Sequence, residues 1–386
     1  MLLIKLLFKN AFLRHKLRSA LTVLGVTIAV LAFGLLRTVI TTWYLGVETS
    51  SPTRLVTRNT VSIIFPLPLS YKDKIRQVEG VRIVSYGSWF GGIYKDKKNF
   101  FANFAVEPRS YLELYPEFIV PPDEKESFLR DRRGFITGQK LADRFGWKKG
   151  DIVTLEGTIY PGKWDFVLRG IYRGRDVNVD ETQFFFHWDY LNQSILKTMP
   201  SQADQVGFYM IGISSPDIAA QVSQEIDAMS RNSAAETITE TEKAFVQGFI
   251  AMSEAIIIAI QIVSLVVILI IMAVVANTMA MTTRERIGEY SILKTLGFGG
   301  GAITMLIMGE SLLITLSGCI LGVALTYPIA DAFGIFLGTY FPVFNVENET
   351  VLLDFIAAAL IALAAAVIPV RNALRLRVAE GLRRIG

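Results

Sequence analysis

The sequence predicts an α-helical membrane protein: four transmembrane helices, with a large α+β extracytoplasmic domain inserted between helices 1 and 2. Three observations carry this. Of 386 residues, 52% are apolar and only 19% are charged, a balance too hydrophobic for a disordered chain and unusual for a water-soluble one. Four separate runs reach the roughly 20 apolar residues that a helix needs to cross hydrocarbon. Between the first and second of them lie about 200 residues of mixed composition, enough for a domain with its own core.

Residues 1–20 read as a basic amphipathic segment, and the first span follows at 21–45. Its one charge, Arg37, falls roughly 24 Å along the helix from Leu21, near the far interface where a long side chain can snorkel. The apolar run exceeds the roughly 7 to 15 residues of a signal peptide, and Trp43-Tyr44-Leu45 is a poor cleavage site, so a retained helix is the better reading. A stalk and second span occupy 246–280, the third span 302–335 and the fourth 351–370. Glu310 and Asp354 each fall near the start of a span, and charges so few and terminal argue against an ion or proton pathway.

Cytoplasmic flanks of membrane helices are enriched in Lys and Arg. Lys5, Lys9, Arg14, Lys16 and Arg18 precede the first span, Arg284, Arg286 and Lys294 lie between spans two and three, and Arg371, Arg375, Arg377, Arg383 and Arg384 follow span four. These thirteen share one side. The external loop at 336–350 belongs to a connection with acids and no base, which places it opposite. Both termini are then expected in the cytoplasm, and residues 46–245 outside it.

The inserted domain holds 25 Lys/Arg and 26 Asp/Glu against a whole-chain charge of +4. No solvated basic stripe remains to follow a phosphate backbone, so nucleic acid is excluded as a partner. Within the domain, 152–155 and 166–172 read as strands and 71–78 and 217–229 as amphipathic helices. Residues 137–146 read as a capped helix. The aromatic run Phe184-Phe185-Phe186-His187-Trp188 reads as a core strand in preference to a ligand surface. From Glu236 onward the pattern reads as helix, rising without a break as a stalk into the second span.

Several chemistries drop out. A single Cys319 with His15 and His187 supplies neither a disulfide nor a zinc cage, and no catalytic triad can be grouped from two histidines on opposite sides of the membrane. Residues 157–163 imitate a phosphate-binding loop, but Trp164 stands where Ser or Thr must hold magnesium, and Pro161 removes one backbone donor. The glycine-rich stretch at 297–302 lacks the strand that a dinucleotide fingerprint requires. The sequon Asn348-Glu349-Thr350 is assigned no role.

The loop at 281–301 remains. Ile287, Tyr290, Leu293 and Leu296 recur at helical spacing and Gly297 closes the run, which predicts a short amphipathic helix. Glu285 and Glu289, four apart, repel each other by a few tenths of a kcal/mol and suit an anionic lipid surface poorly. A protein partner offering basic groups explains them better than the headgroups do.

At this loop the sequence resembles the MacB/FtsX-like family of ABC transporter permeases, including its LolC/LolE-type members. The resemblance rests on three separated motifs in order. They are the basic segment from Lys9 to Thr22 running into Leu24-Gly25; Glu285-Arg286, Glu289, Ile292, Lys294 and Leu296-Gly297 in the loop; and Pro369, Arg371, Ala373, Arg375-Leu376 and Leu382-Arg383 in the tail. Tyr290-Ser291 and Arg377-Val378 depart from the family pattern. The resemblance implies a bacterial inner-membrane subunit that dimerises with a second copy or a paralogue. It implies a separate cytoplasmic ATPase, which holds the ATP and magnesium, and a coupling helix made by this loop.

On that reading the chain is not itself an enzyme and binds no cofactor. Arg284, Glu285, Arg286, Glu289, Leu293 and Lys294 are the expected ATPase contacts, and Glu310 is expected to anchor packing. The implied function is mechanotransmission that drives export or extraction of periplasmic cargo, with a periplasmic adaptor or outer-membrane conduit as a further partner. The alternative is an FtsX-like signalling permease that regulates a cell-wall hydrolase or senses a peptide. A secondary transporter is disfavoured by the absence of inverted repeats and broken midplane helices.

Overall fold

The structure, a computed structural model, describes residues 16–337 and 343–375. The expectations placed on Lys5, Lys9, Arg14 and His15, on part of the 336–350 loop, and on everything beyond Arg375 lie outside the described residues. The described residues form two compact units, one built from Trp43–Met252 and one from the long apolar helices that flank it.

Helix α1 (Lys16–Glu48) leads into the inserted domain, which opens with β1 (Arg54–Asn59), β2 (Leu67–Pro68), α2 (Tyr71–Ile75), β3 (Val81–Trp89), β4 (Gly92–Ile93) and β5 (Asn103–Val106). Next come α3 (Pro108–Leu114), β6 (Phe118–Ile119), α4 (Pro122–Arg130), β7 (Gly134–Gly138), α5 (Gln139–Phe145), β8 (Ile152–Gly157) and β9 (Gly162–Gly174). The domain ends with β10 (Phe184–His187), α6 (Trp188–Thr198), β11 (Gln205–Val206), β12 (Phe208–Ile213), α7 (Ala219–Ser230), β13 (Thr237–Thr241) and α8 (Glu242–Met252).

One mixed sheet organises the domain, in the order β13-β1-β12-β3-β5-β10-β7-β9-β8-β4 with β6 added to β9. Side chains alternate across a strand, and both faces of this sheet are covered. In β10, Phe184 and Phe186 join one apolar core while Phe185 joins the other. Phe184–His187 and Trp188 are all buried, so the aromatic run packs inside the domain. The imitation phosphate loop is a hairpin turn, with Gly157 and Gly162 paired across β8 and β9. Helix α5 starts from Gly138 without a side-chain cap and ends at Gly146 in the left-handed region, φ 67°. Thr137, expected near its cap, belongs to β7 and donates to the Gln183 carbonyl at 3.1 Å.

The helix expected from Glu236 onward is corrected in two places. Thr237–Thr241 is a strand, because its β-branched residues pair antiparallel with β1 and Asp227 accepts from the Thr237 and Thr239 hydroxyls at 2.9 and 2.7 Å. A second interruption falls at Ser253, which leaves helical geometry between α8 and the next helix. The start of α8 is tied to the domain by Arg54. Its Nε donates to Glu242 at 2.7 Å, its Nη1 pairs with Glu117 at 2.7 Å, and Tyr115 donates to Glu242 at 3.1 Å.

After the domain come α9 (Glu254–Glu285), α10 (Ile287–Thr295), α11 (Gly300–Leu337) and α12 (Asn348–Arg375). Helices α1, α9, α11 and α12 are long and apolar enough to cross a membrane. Without a hydrophobic drive between helices in lipid, small residues and interhelical bonds hold such bundles. Both occur here. Gly318 and Gly322 bring α11 against Val26 and Val30 of α1, and the Thr27 hydroxyl donates to the Gly318 carbonyl at 3.2 Å. Ser311 of α11 donates to the Ala362 carbonyl of α12 at 2.9 Å, where a stripe of buried alanines permits the approach.

Candidate functional site

Helix α9 runs on to Glu285, and Arg286 at φ −101°, ψ 12° marks the corner where α10 begins. The far end of α10 is closed by a Schellman arrangement. Gly297 takes φ 88°, its N–H reaches the Lys294 carbonyl at 3.1 Å, and the Phe298 N–H reaches the Leu293 carbonyl at 3.0 Å. A residue with a Cβ would strain this position, which is why the turn carries glycine.

Side chains then fasten this short helix and the corner that precedes it to the bundle in three directions. Toward α1, Arg18 donates both terminal nitrogens to Glu285 at 2.8 and 2.9 Å. Toward α11, Arg286 Nη1 donates to Glu310 at 2.6 Å, with Arg286 6% and Glu310 3% exposed. Arg286 Nε also donates to Glu289 at 3.1 Å, and its guanidinium lies 5.3 Å from the Tyr290 ring. Toward α12, Lys294 Nζ donates to the Ala373 and Leu374 carbonyls at 3.1 and 2.9 Å, where an ammonium complements the negative end of a helix dipole.

The three ties differ in worth. The Arg18–Glu285 pair is about a third exposed on each side, so it contributes about 1 kcal/mol at most. The Arg286–Glu310 pair is buried, and removing one partner of such a pair costs about 3–5 kcal/mol. Burial by itself lowers the Arg286 pKa, but Tyr290, Glu310 and Glu289 more than reverse this and hold it above its ordinary value.

The repulsion between Glu285 and Glu289 that suggested an external basic partner is therefore relieved within the chain, by Arg18 for one and Arg286 for the other. Of the six residues expected to touch a partner, Arg284 is exposed, Leu293 is half-buried, and Glu285, Arg286, Glu289 and Lys294 are engaged as above. An apolar edge was missed. Ile292, Leu296 and Phe298 are 44%, 70% and 51% exposed, a ridge at the helix end most remote from its buried charges. The signal was present in Leu296-Gly297-Phe298, since a hydrophobe just past a glycine cap ordinarily folds back on the helix and this one stays in the open.

Residues 261–378, which include this loop and its flanking spans, match the family described as FtsX-like permease C-terminal. The chain thus carries an FtsX-like permease C-terminal domain. Over that stretch it is similar to FtsX-like permeases, and along most of its length it is similar to an ABC transporter permease. A curated relative from Methanocaldococcus jannaschii, described as an uncharacterized ABC transporter permease, is 24% identical over 354 residues, covering 84% of this chain and 82% of the relative. The extracellular domain of the noncanonic ABC-type transporter YknZ from Gram-positive bacteria is similar at 13% identity and a TM-score of 0.36, over 49% of this chain and all of that one. A domain of a permease protein from Porphyromonas gingivalis is similar at 14% identity and a TM-score of 0.32, over 48% of this chain and 88% of that one.

Proposed function

We propose that a separate cytoplasmic ATPase docks on α10 and that its ATP cycle moves the inserted domain on the other side of the membrane, driving export or extraction of periplasmic or membrane-derived cargo. The observation that carries this is the fastening of α10. A helix whose entry corner is bonded to α1 through Glu285 and to α11 through Arg286, and whose far end is bonded to α12 through Lys294, passes a push at its tip to every span, whereas a loose loop would absorb it. Arg284, Ile292, Leu296 and Phe298 meet the ATPase, while Glu285, Arg286, Glu289 and Lys294 hold the angle at which they are presented. Thirteen basic residues on one side of the spans support the cytoplasmic placement.

The test is gentle extraction of the tagged chain with measurement of what co-purifies and of ATP turnover. Wild-type protein should bring down an ATPase, and Leu296→Glu should reduce its recovery at least tenfold by placing a charge in a desolvated contact. Undiminished recovery with Leu296→Glu and Phe298→Glu would remove the docking assignment. Recovery of a cell-wall hydrolase or sensor in place of an adaptor would transfer the proposal to signalling.

A further inference from the structure

Three buried polar atoms of the helical unit have no hydrogen-bond partner among the described residues: Arg37 Nε on α1, and Thr350 Oγ1 and Asp354 Oδ1 on α12. They belong to one short stretch of the α1–α12 contact. A Cβ placed on Gly34 would lie 3.3 Å from Asp354 Oδ2, and Arg37 Nη2 lies 3.8 Å from Glu349 Oε1. Gly34 therefore faces Asp354, and Arg37, three residues or about 4.5 Å farther along the same face, faces Glu349.

The two acids are unequal hosts for the guanidinium. Glu349 is 67% exposed in its side chain and its contact with Arg37 is longer than a hydrogen bond. Asp354 is 2% exposed inside an apolar span, where an acid lacking a partner is costly and one paired with a cation is not. Side chains on a helix lean toward its N-terminus. For Arg37 that direction leads toward Gly34 and the level of Asp354; Gly34 adds no side chain of its own there, and the Thr326 side chain of α11, 3.2 Å from a Cβ placed on Gly34, forms the far wall of the passage.

We propose that Arg37 is a two-position latch between the first and fourth spans. In this structure its guanidinium faces Glu349 at the rim; in the second position it swings about one turn inward past Gly34 and pairs with Asp354. The inward position satisfies the orphaned atoms of Arg37 and Asp354 and locks α1 to α12 through a buried ion pair. The outward position leaves the two helices joined here only by packing and the long, exposed Arg37–Glu349 contact. The inference concerns the helical unit by itself and stands or falls separately from ATPase docking.

The test uses the full chain in lipid nanodiscs, with melting temperatures for Arg37→Gln, Asp354→Asn and the double variant, each also in a Glu349→Gln background. The losses of the two single variants should overlap, so that the double melts no lower than the worse single. Glu349→Gln, which removes the outer partner, should enlarge that overlap, and Gly34→Val, which blocks the path, should abolish it. Additive losses in both backgrounds would overturn the latch, and so would an overlap that Gly34→Val leaves intact.

Discussion

Glu310→Gln should cost the chain about 3 kcal/mol of stability, a large loss for a change of one oxygen to an amide. Arg286 and Glu310 are both nearly inaccessible, and their 2.6 Å contact compensates the desolvation of each charge. Gln removes the compensating charge and leaves the guanidinium buried. The figure lies at the lower end of the range for broken buried pairs because Glu289 still accepts from Arg286 Nε. Arg286→Met should do comparable damage by removing the guanidinium that faces the buried Glu310 carboxylate. Replacing both with Met should recover most of the stability, since apolar residues of similar volume often match a buried ion pair. Melting of the three variants in nanodiscs checks this; a Glu310→Gln protein as stable as wild type would mean that the pair holds nothing together. The double variant also separates folding from function. It should fold, yet ATP turnover of the assembled complex should fall, because the angle between α9 and α10 has lost its brace.

Gly318→Val should be as damaging for a different reason. A Cβ at Gly318 would stand 2.6 Å from Val26 Cβ and 2.9 Å from the Val23 carbonyl, and at Gly322 2.7 Å from Val30 Cβ and 3.0 Å from the Thr27 carbonyl. Part of each obstruction is backbone, which no rotamer change can remove, so α1 and α11 must separate. Even Ala at either position should cost about 1–3 kcal/mol through overpacking, and Val more, with the Thr27–Gly318 bond lost besides. Gly301 is the control. It lies in the same helix with nothing within 4 Å of its would-be Cβ, so Gly301→Ala should be neutral or slightly stabilising by reducing the freedom of the unfolded chain. If Gly318→Ala and Gly301→Ala melted alike, the close helix contact would be refuted.

The match of residues 261–378 to the FtsX-like family and the ties of α10 bear on the same loop from different sides. The motif that carries the resemblance, Glu285-Arg286, Glu289 and Lys294, consists largely of the residues that the fold uses internally. Their spacing therefore has a physical reason that needs no partner: it places one acid toward α1, one arginine toward α11 and one lysine at the end of α12. What is left for a partner is the exposed edge of Ile292, Leu296 and Phe298 with Arg284. Charge reversal at Glu285 should accordingly be mild, about 1 kcal/mol or less in stability.

The four long helices, the mixed domain between the first two, the turn at Gly297 and the failure of the phosphate and dinucleotide imitations were legible in the sequence, because each depends on local terms. Length and apolarity decide whether a helix can cross hydrocarbon. A missing hydroxyl or a missing strand is visible without coordinates, and a glycine at a helix end answers to the chain's own sterics. The strand at Thr237–Thr241, the break at Ser253, the burial of Arg286 with Glu310, and the approach of Gly34 to Asp354 and of Arg37 to Glu349 were settled only by tertiary structure. In each of these the deciding atom belongs to a residue distant in sequence: β1 for the strand, α11 for Arg286, α12 for Arg37. Local propensity cannot register such an atom. A helical reading of Thr237–Thr241 loses to an available sheet edge, and an acid that looked terminal from its place in a span proves buried once a second helix covers it.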